Sequence, residues 1–117
     1  PTGCELAGVI PEIARHGLRG EFRAIDPAAA RTILIENSPQ VLNVFPDELA
    51  ARAQRDLTRL GVTVLNGRKA ARIDETGVTL DDGTHIPART VFWAAGNKAS
   101  PLGATLGVPL DRAGRVL

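Results

Sequence analysis

The stretch from Thr32 to Leu65 constrains this chain more than any other: "TILIE", a loop, "FPDELAARAQRDLTRLG", then "VTVL". Ile33, Leu34 and Ile35 are contiguous rather than alternating, the pattern of a strand buried on both faces. The second segment is an amphipathic helix. Pro46 suits its first turn, and Asp47 and Glu48 favour the positive end of its dipole. Leu49, Ala53, Leu57 and Leu60 fall on one face, and Gly61 stops the helix. A strand, a helix and a second strand in that order form a crossover unit, whose strands run parallel.

The flanking segments extend the same plan. From Thr2 to about Arg15, Leu6, Val9, Ile10 and Ile13 recur at three-to-four spacing, the stripe of a helix packed on a sheet. Pro11 interrupts that stripe and is expected to bend the helix on its outer side. His16 to Ala30 reads as a frayed continuation and a loop, with a short helix around "DPAAA". After the turn pair Asn66-Gly67, the segments "ARID", "VTL" and "HIPA" are separated by tight glycine turns, which predicts an antiparallel meander. "TVFWA" then reads as a further buried strand, and the last residues as a loop that begins another. A parallel sheet built this way wants one more strand immediately before Thr2, in the middle of the sheet.

Composition excludes several classes. A length of 117 residues, 44% of them hydrophobic, supplies one domain and one core. The 14 Lys and Arg against 13 Asp and Glu are scattered, so neither nucleic acid nor an anionic membrane is an expected partner. Three Phe, one Trp and no Tyr give no stacking platform. One Cys and two His make neither a disulfide nor a metal cluster, which fits a reducing, cytoplasmic setting. No apolar run reaches membrane-spanning length and no signal peptide is recognisable.

Two residues carry the pattern of a dinucleotide site. In such a fold a strand feeds a glycine turn, the turn's last glycine lets helix and strand pack closely, and first-turn amides hold a pyrophosphate. Gly3 occupies the place of that last glycine. An acidic residue at the end of the next strand accepts the ribose hydroxyls, and Glu36 sits there. Their separation of 33 positions exceeds the usual ~20, so "HGLRGEFRAIDPAA" counts as an insertion. The residues alone leave open the alternative of an ordinary helix start and a solvated strand end.

"PTGCELAG", "ILIENSPQVL", "FPDELAARAQRDLTRLGV", "VTLDDGTHIPARTVFWAAG" and "ASPLGATLGVPLDRAGRV" together resemble the NADH-binding domain of the type II NADH dehydrogenases, NADH:quinone oxidoreductases with two dinucleotide-binding domains. The resemblance runs over nearly the whole chain. It implies an α/β, Rossmann-like FAD/NAD(P)-binding domain of three layers, with a parallel sheet and an inserted antiparallel meander. Residues 1–117 are expected to be one excised domain, lacking the first strand and the first two glycines of the family's turn.

Position by position, the resemblance implies roles. Thr2 and Gly3 line the pyrophosphate turn, and Glu36 binds the adenosine ribose. Glu36 would repel a 2′-phosphate and no Arg follows in "ENSPQVL", which favours NADH over NADPH. Glu5 lies near the nicotinamide carboxamide, and Ala94, Ala95 and Gly96 form a small-residue loop where backbone approaches the cofactor. Hydride passes to an FAD held mainly outside this chain and on to a quinone, with no catalytic acid, base or metal expected here. The whole enzyme is expected to be peripheral on the cytoplasmic face of the inner membrane.

Other readings accompany these. Another flavoprotein reductase, of the sulfide:quinone, ferredoxin or nitrite type, shares the domain plan. A chain lacking its central strand is alternatively a fragment that binds no nucleotide and closes its sheet edges as a homo-oligomer or strand-swapped dimer. Glu5 has the bland reading of a dipole-favoured carboxylate. Cys4 has the readings of a packed residue or a first-turn thiol of lowered pKa. His16 and His85 read as surface residues, and Trp93 as core or interdomain surface.

Overall fold

The computed structural model describes residues 1–117. Its first element is α1 (Thr2–Glu12), which runs through Pro11 and into a wider π turn over Ile13–Gly17. After a single 3₁₀ turn at Pro27–Ala29 come β1 (Thr32–Glu36), α2 (Asp47–Arg59) and β2 (Val62–Asn66). The meander is β3 (Ala70–Asp74), β4 (Gly77–Leu80) and β5 (His85–Pro87). A 3₁₀ helix at Pro101–Leu106 and a bridge between Leu110 and Val116 close the chain. No helix is long and apolar enough to cross a membrane.

The expected crossover unit is present. β1 and β2 pair in parallel with Thr32 opposite Val62 and Glu36 opposite Asn66. Ala7 of α1, Leu57 of α2 and Val62 of β2 form the core, with Cys4, Leu34 and Val64 packed against them. Because side chains alternate along a strand, Leu34 and Glu36 share the face of β1 turned to the helices. The meander forms a separate antiparallel sheet in the order β3-β4-β5.

Several expectations are corrected. The buried face of α1 and its π turn is Ala7, Pro11 and Ala14, whereas Leu6, Val9 and Ile13 are exposed. Small side chains let the helix lie close on the sheet, so Pro11 points inward where the ring packs. Past the proline the helix widens into the π turn, where the Leu18 amide donates to the Ile13 carbonyl at 2.9 Å. On α2, Leu49 is exposed and Ala50 takes its place in the core. β1 is half-buried along its whole length instead of buried on both faces.

"TVFWA" is not a strand. Residues 90–94 are irregular, and Phe92 and Trp93 are 62% and 68% exposed. The two-stranded sheet contains only β1 and β2. A strand without a neighbour leaves its backbone groups to water, so apolarity alone does not make Thr90–Ala94 extended and buried. The radius of gyration, 17.5 Å, exceeds the ~13 Å of a compact chain of this size, and 10 of 117 residues are buried.

The meander supplies two tests. Gly77 has φ +145°, and a Cβ on it would lie 2.1 Å from the Ile86 carbonyl oxygen and 2.8 Å from the Ala88 nitrogen. These are backbone atoms of the paired strand, so relief requires breaking the β4–β5 ladder. Gly77→Ala is expected to destabilise the fold by about 3 kcal/mol, read as a lowered urea midpoint. Asp74 is held down to about 2 from an ordinary 3.8, first by the Thr76 hydroxyl, then by the Thr76 amide, with Arg72 assisting. Its charged form is favoured in the folded state, so its contribution is complete above 3.8 and is lost as pH falls through about 2. Asp74→Asn should therefore flatten the acid limb of a stability profile in that window and leave neutral pH less stable than wild type.

Candidate functional site

The first turn of α1 sets the site. No side chain caps the helix, and the first intrahelical partner belongs to Glu5, whose amide donates to the Pro1 carbonyl at 3.1 Å. The amides of Thr2, Gly3 and Cys4 have no acceptor. Three free donors at the positive end of a helix dipole make a place for an anion.

Glu36 stands at the corresponding end of β1. Its Oε1 accepts the Ser38 amide at 2.7 Å, and its carbonyl accepts the Arg68 amide at 3.0 Å. The turn that follows is itself pinned: Asn43 Nδ2 donates to Ser38 Oγ at 2.8 Å, and the Gly67 amide donates to the Ser38 carbonyl at 2.9 Å. One carboxylate oxygen is thereby anchored, and Oε2 has no partner. No ion pair engages Glu36, so Oε2 stays open to a ligand's hydroxyls.

The helix start and the strand end are neighbours. A Cβ on Gly3 would lie 3.6 Å from Leu34 Cδ1, two residues before Glu36, and 3.7 Å from Ala94 Cβ. Cys4, the residue after Gly3, packs against the core. Burial pushes its thiol above the ordinary 9.0; the positive charge at the amino terminus opposes this, and Glu36 and then Glu5 push further upward. The reading of Cys4 as a thiol of lowered pKa is therefore corrected: burial comes first, and Glu36 and then Glu5 add to it.

The other expected residues are placed less tightly. Ala94, Ala95 and Gly96 are all exposed and make no backbone hydrogen bond, and of the three Ala94 lies beside Gly3. Gly96 has φ +103° with nothing within 4 Å of a built Cβ, so backbone conformation, not crowding, favours glycine there. Glu5 is exposed and borders a groove of about 390 Å³ between α1 and α2, lined also by Cys4, Gly8, Asp56 and Leu60. A separate hollow of about 470 Å³ at Glu75–Thr76 and Pro87–Arg89 lies at the meander turn, and it gathers none of these residues. Sequence reasoning did not find Ser38 and Asn43, although Asn, Ser and Pro clustered after a strand signal side-chain-to-backbone turns.

The chain is similar to known proteins along its whole length. The family model for pyridine nucleotide-disulphide oxidoreductases matches residues 1–117. The chain is 44% identical to a type II NADH:quinone oxidoreductase of Mycobacterium tuberculosis, over 99% of this chain and 27% of that protein. A second such oxidoreductase of the same organism is 40% identical over 100% of this chain and 27% of its own length. An internal alternative NAD(P)H-ubiquinone oxidoreductase of Arabidopsis thaliana is 28% identical over 99% of the chain. The chain thus spans about a quarter of the length of these curated relatives. A ferredoxin reductase from Rhodopseudomonas palustris superposes with a TM-score of 0.61, at 23% identity, over 68% of this chain and 21% of that one, a likeness of fold.

The proximity of Glu36 to Cys4 is measurable through the thiol. Raised above its ordinary value, Cys4 carries less thiolate at pH 8 than free cysteine and should react more slowly with iodoacetamide. Glu36→Gln removes one upward influence and is expected to speed alkylation about two- to threefold. An unchanged rate would mean that the strand end and helix start do not face one space.

Proposed function

Because the chain belongs to the pyridine nucleotide-disulphide oxidoreductase family, we propose that residues 1–117 form a dinucleotide-binding domain of an NADH dehydrogenase whose final acceptor is a quinone. The observation that carries this reading is the meeting of three unpaired amides at the start of α1 with a half-free carboxylate at the end of β1. A dinucleotide presents just these two chemistries, an anionic pyrophosphate and a ribose diol, one nucleoside apart.

In this reading the amides of Thr2, Gly3 and Cys4 hold the pyrophosphate. They are aligned by the helix before any ligand arrives, so little ordering is lost on binding. Oε2 of Glu36 accepts the ribose hydroxyls, and the Ser38 amide keeps the carboxylate from rotating away. Its negative charge disfavours a 2′-phosphate, which supports NADH over NADPH. Ala94 lets a ligand pass close to backbone beside Gly3, with Ala95 and Gly96 continuing that edge. Glu5 is the residue assigned to the carboxamide end. When bound, NADH supplies a hydride for which FAD is the acceptor before the quinone. Proton transfer by this domain is not required, and its residues bind and orient only. A quinone acceptor is lipid-resident, so the enzyme is assigned to a membrane surface, on the cytoplasmic side where NADH is supplied.

Direct titration with NADH and NADPH, followed by nicotinamide fluorescence, tests the assignment. Wild-type protein is expected to prefer NADH. Glu36→Ala should weaken NADH on the order of tenfold, as for a charged hydrogen-bond acceptor, and leave NADPH unaffected or improved. Equal affinity of the wild-type protein for both nucleotides would remove Glu36 from the ribose.

A further inference from the structure

Glu36 is not the only charged residue whose backbone stands at this end of the parallel sheet. Arg68, two residues past β2, donates its amide to the Glu36 carbonyl at 3.0 Å, so guanidinium and carboxylate start from one place. They do not meet. Arg68 Nη1 instead pairs with Asp82 Oδ2 on the turn between β4 and β5. Asp82 is itself fixed, because its Oδ1 accepts the Thr84 amide at 2.9 Å. The Asp81 amide donates to the Lys69 carbonyl at 2.9 Å and ties the two segments together. The guanidinium is therefore held by an anchored carboxylate, not by a chance meeting of two loose side chains.

We propose that Asp82 is a second determinant of dinucleotide choice, holding Arg68 away from the space beside Glu36 that a ribose 2′-phosphate would take. The proposal rests on the reading of Glu36 as the ribose-binding residue. A 2′-phosphate needs a cation, and guanidinium suits it because its fork of donors matches phosphate oxygens. The loop directly after Glu36 offers none, whereas the backbone brings Arg68 to that strand end. With Asp82 charged, a 2′-phosphate must both face Glu36 and exchange for an existing partner of Arg68. The pair is about half exposed, with side chains 45% and 36% accessible, so the exchange is a graded bias and not a barrier.

Asp82→Asn is the informative variant, because it removes the charge and keeps the oxygen that receives the Thr84 amide. Calorimetric titration with ADP and 2′,5′-ADP isolates the adenosine half. Asp82→Asn is expected to tighten 2′,5′-ADP about fivefold, with ADP as the internal reference. Adding Arg68→Gln should cancel the gain, and ~0.5 M salt should shrink it. An unchanged affinity for 2′,5′-ADP in Asp82→Asn, an equal gain for ADP, or a gain that survives Arg68→Gln overturns the proposal and leaves Glu36 standing. The Glu36 reading fails separately if Glu36→Gln does not alter the preference between the two ligands. A protein that binds neither overturns both.

Discussion

The seating of α1 on β1 is the contact on which the rest depends. Cys4, Ala7, Pro11 and Ala14 recur at three-to-four spacing along α1 and the π turn, and Cys4 and Ala7 bring only small groups to the core they share with Leu34, Val62 and Val64. A larger residue at any of them would lift the axis and carry the helix start away from the strand end. Leu34 fills the seam beneath Gly3, and the two-residue period of β1 then puts Glu36 on the same face, one pleat further on. The free amides and the carboxylate come together because helix and strand run in opposite directions, which brings the positive end of one to the carboxyl end of the other.

That arrangement has an electrostatic consequence. A carboxylate near a helix start would normally settle onto the free amides and block them. Here Glu36 is restrained by the Ser38 amide, and Asn43 and Gly67 hold Ser38 in turn. The anchoring keeps donors and acceptor apart as two binding features instead of one closed internal ion contact. Burial above all, with the same carboxylate adding to it, pushes the thiol of Cys4 up, opposite to the direction expected of a cysteine in a first helical turn.

The crossover unit and the meander were legible because their signals are local: contiguous Ile33–Ile35, the capped amphipathic stretch to Gly61, and glycine turns at spacing too short for anything but hairpins. Glu36 was legible for the same reason, since a strand end fixes it. The face of α1 was not. Leu6, Val9 and Ile13 carry more apolar area than Ala7 and Ala14, so periodicity pointed to the wrong stripe, whereas closeness of approach selects small residues. "TVFWA" failed for a non-local reason, because pairing depends on a neighbour and no residue within the run reports whether one is present. The Arg68–Asp82 pair spans a separation of 14 positions across two turns, a distance over which pattern carries no information.

The two halves of the candidate site are held with unequal firmness, and this bears on what such a domain contributes. Everything that would meet the adenosine end stands on regular elements or on a turn pinned by several hydrogen bonds. Ala94, Ala95 and Gly96, at the other end, make none and lie on an exposed irregular segment. Local stability follows such contacts, so the adenosine end is the rigid one and the far edge the pliant one. For the hydride transfer proposed above, this division would be useful. That reaction would need no proton donor from this chain, only a short and well-aligned approach between two flat rings, with the entropy of alignment prepaid by gripping the non-reacting end. In that proposal a firm hold on ribose and pyrophosphate would limit where the reactive ring can travel, while a pliant edge would let the ring adjust to whatever acceptor surface faces it.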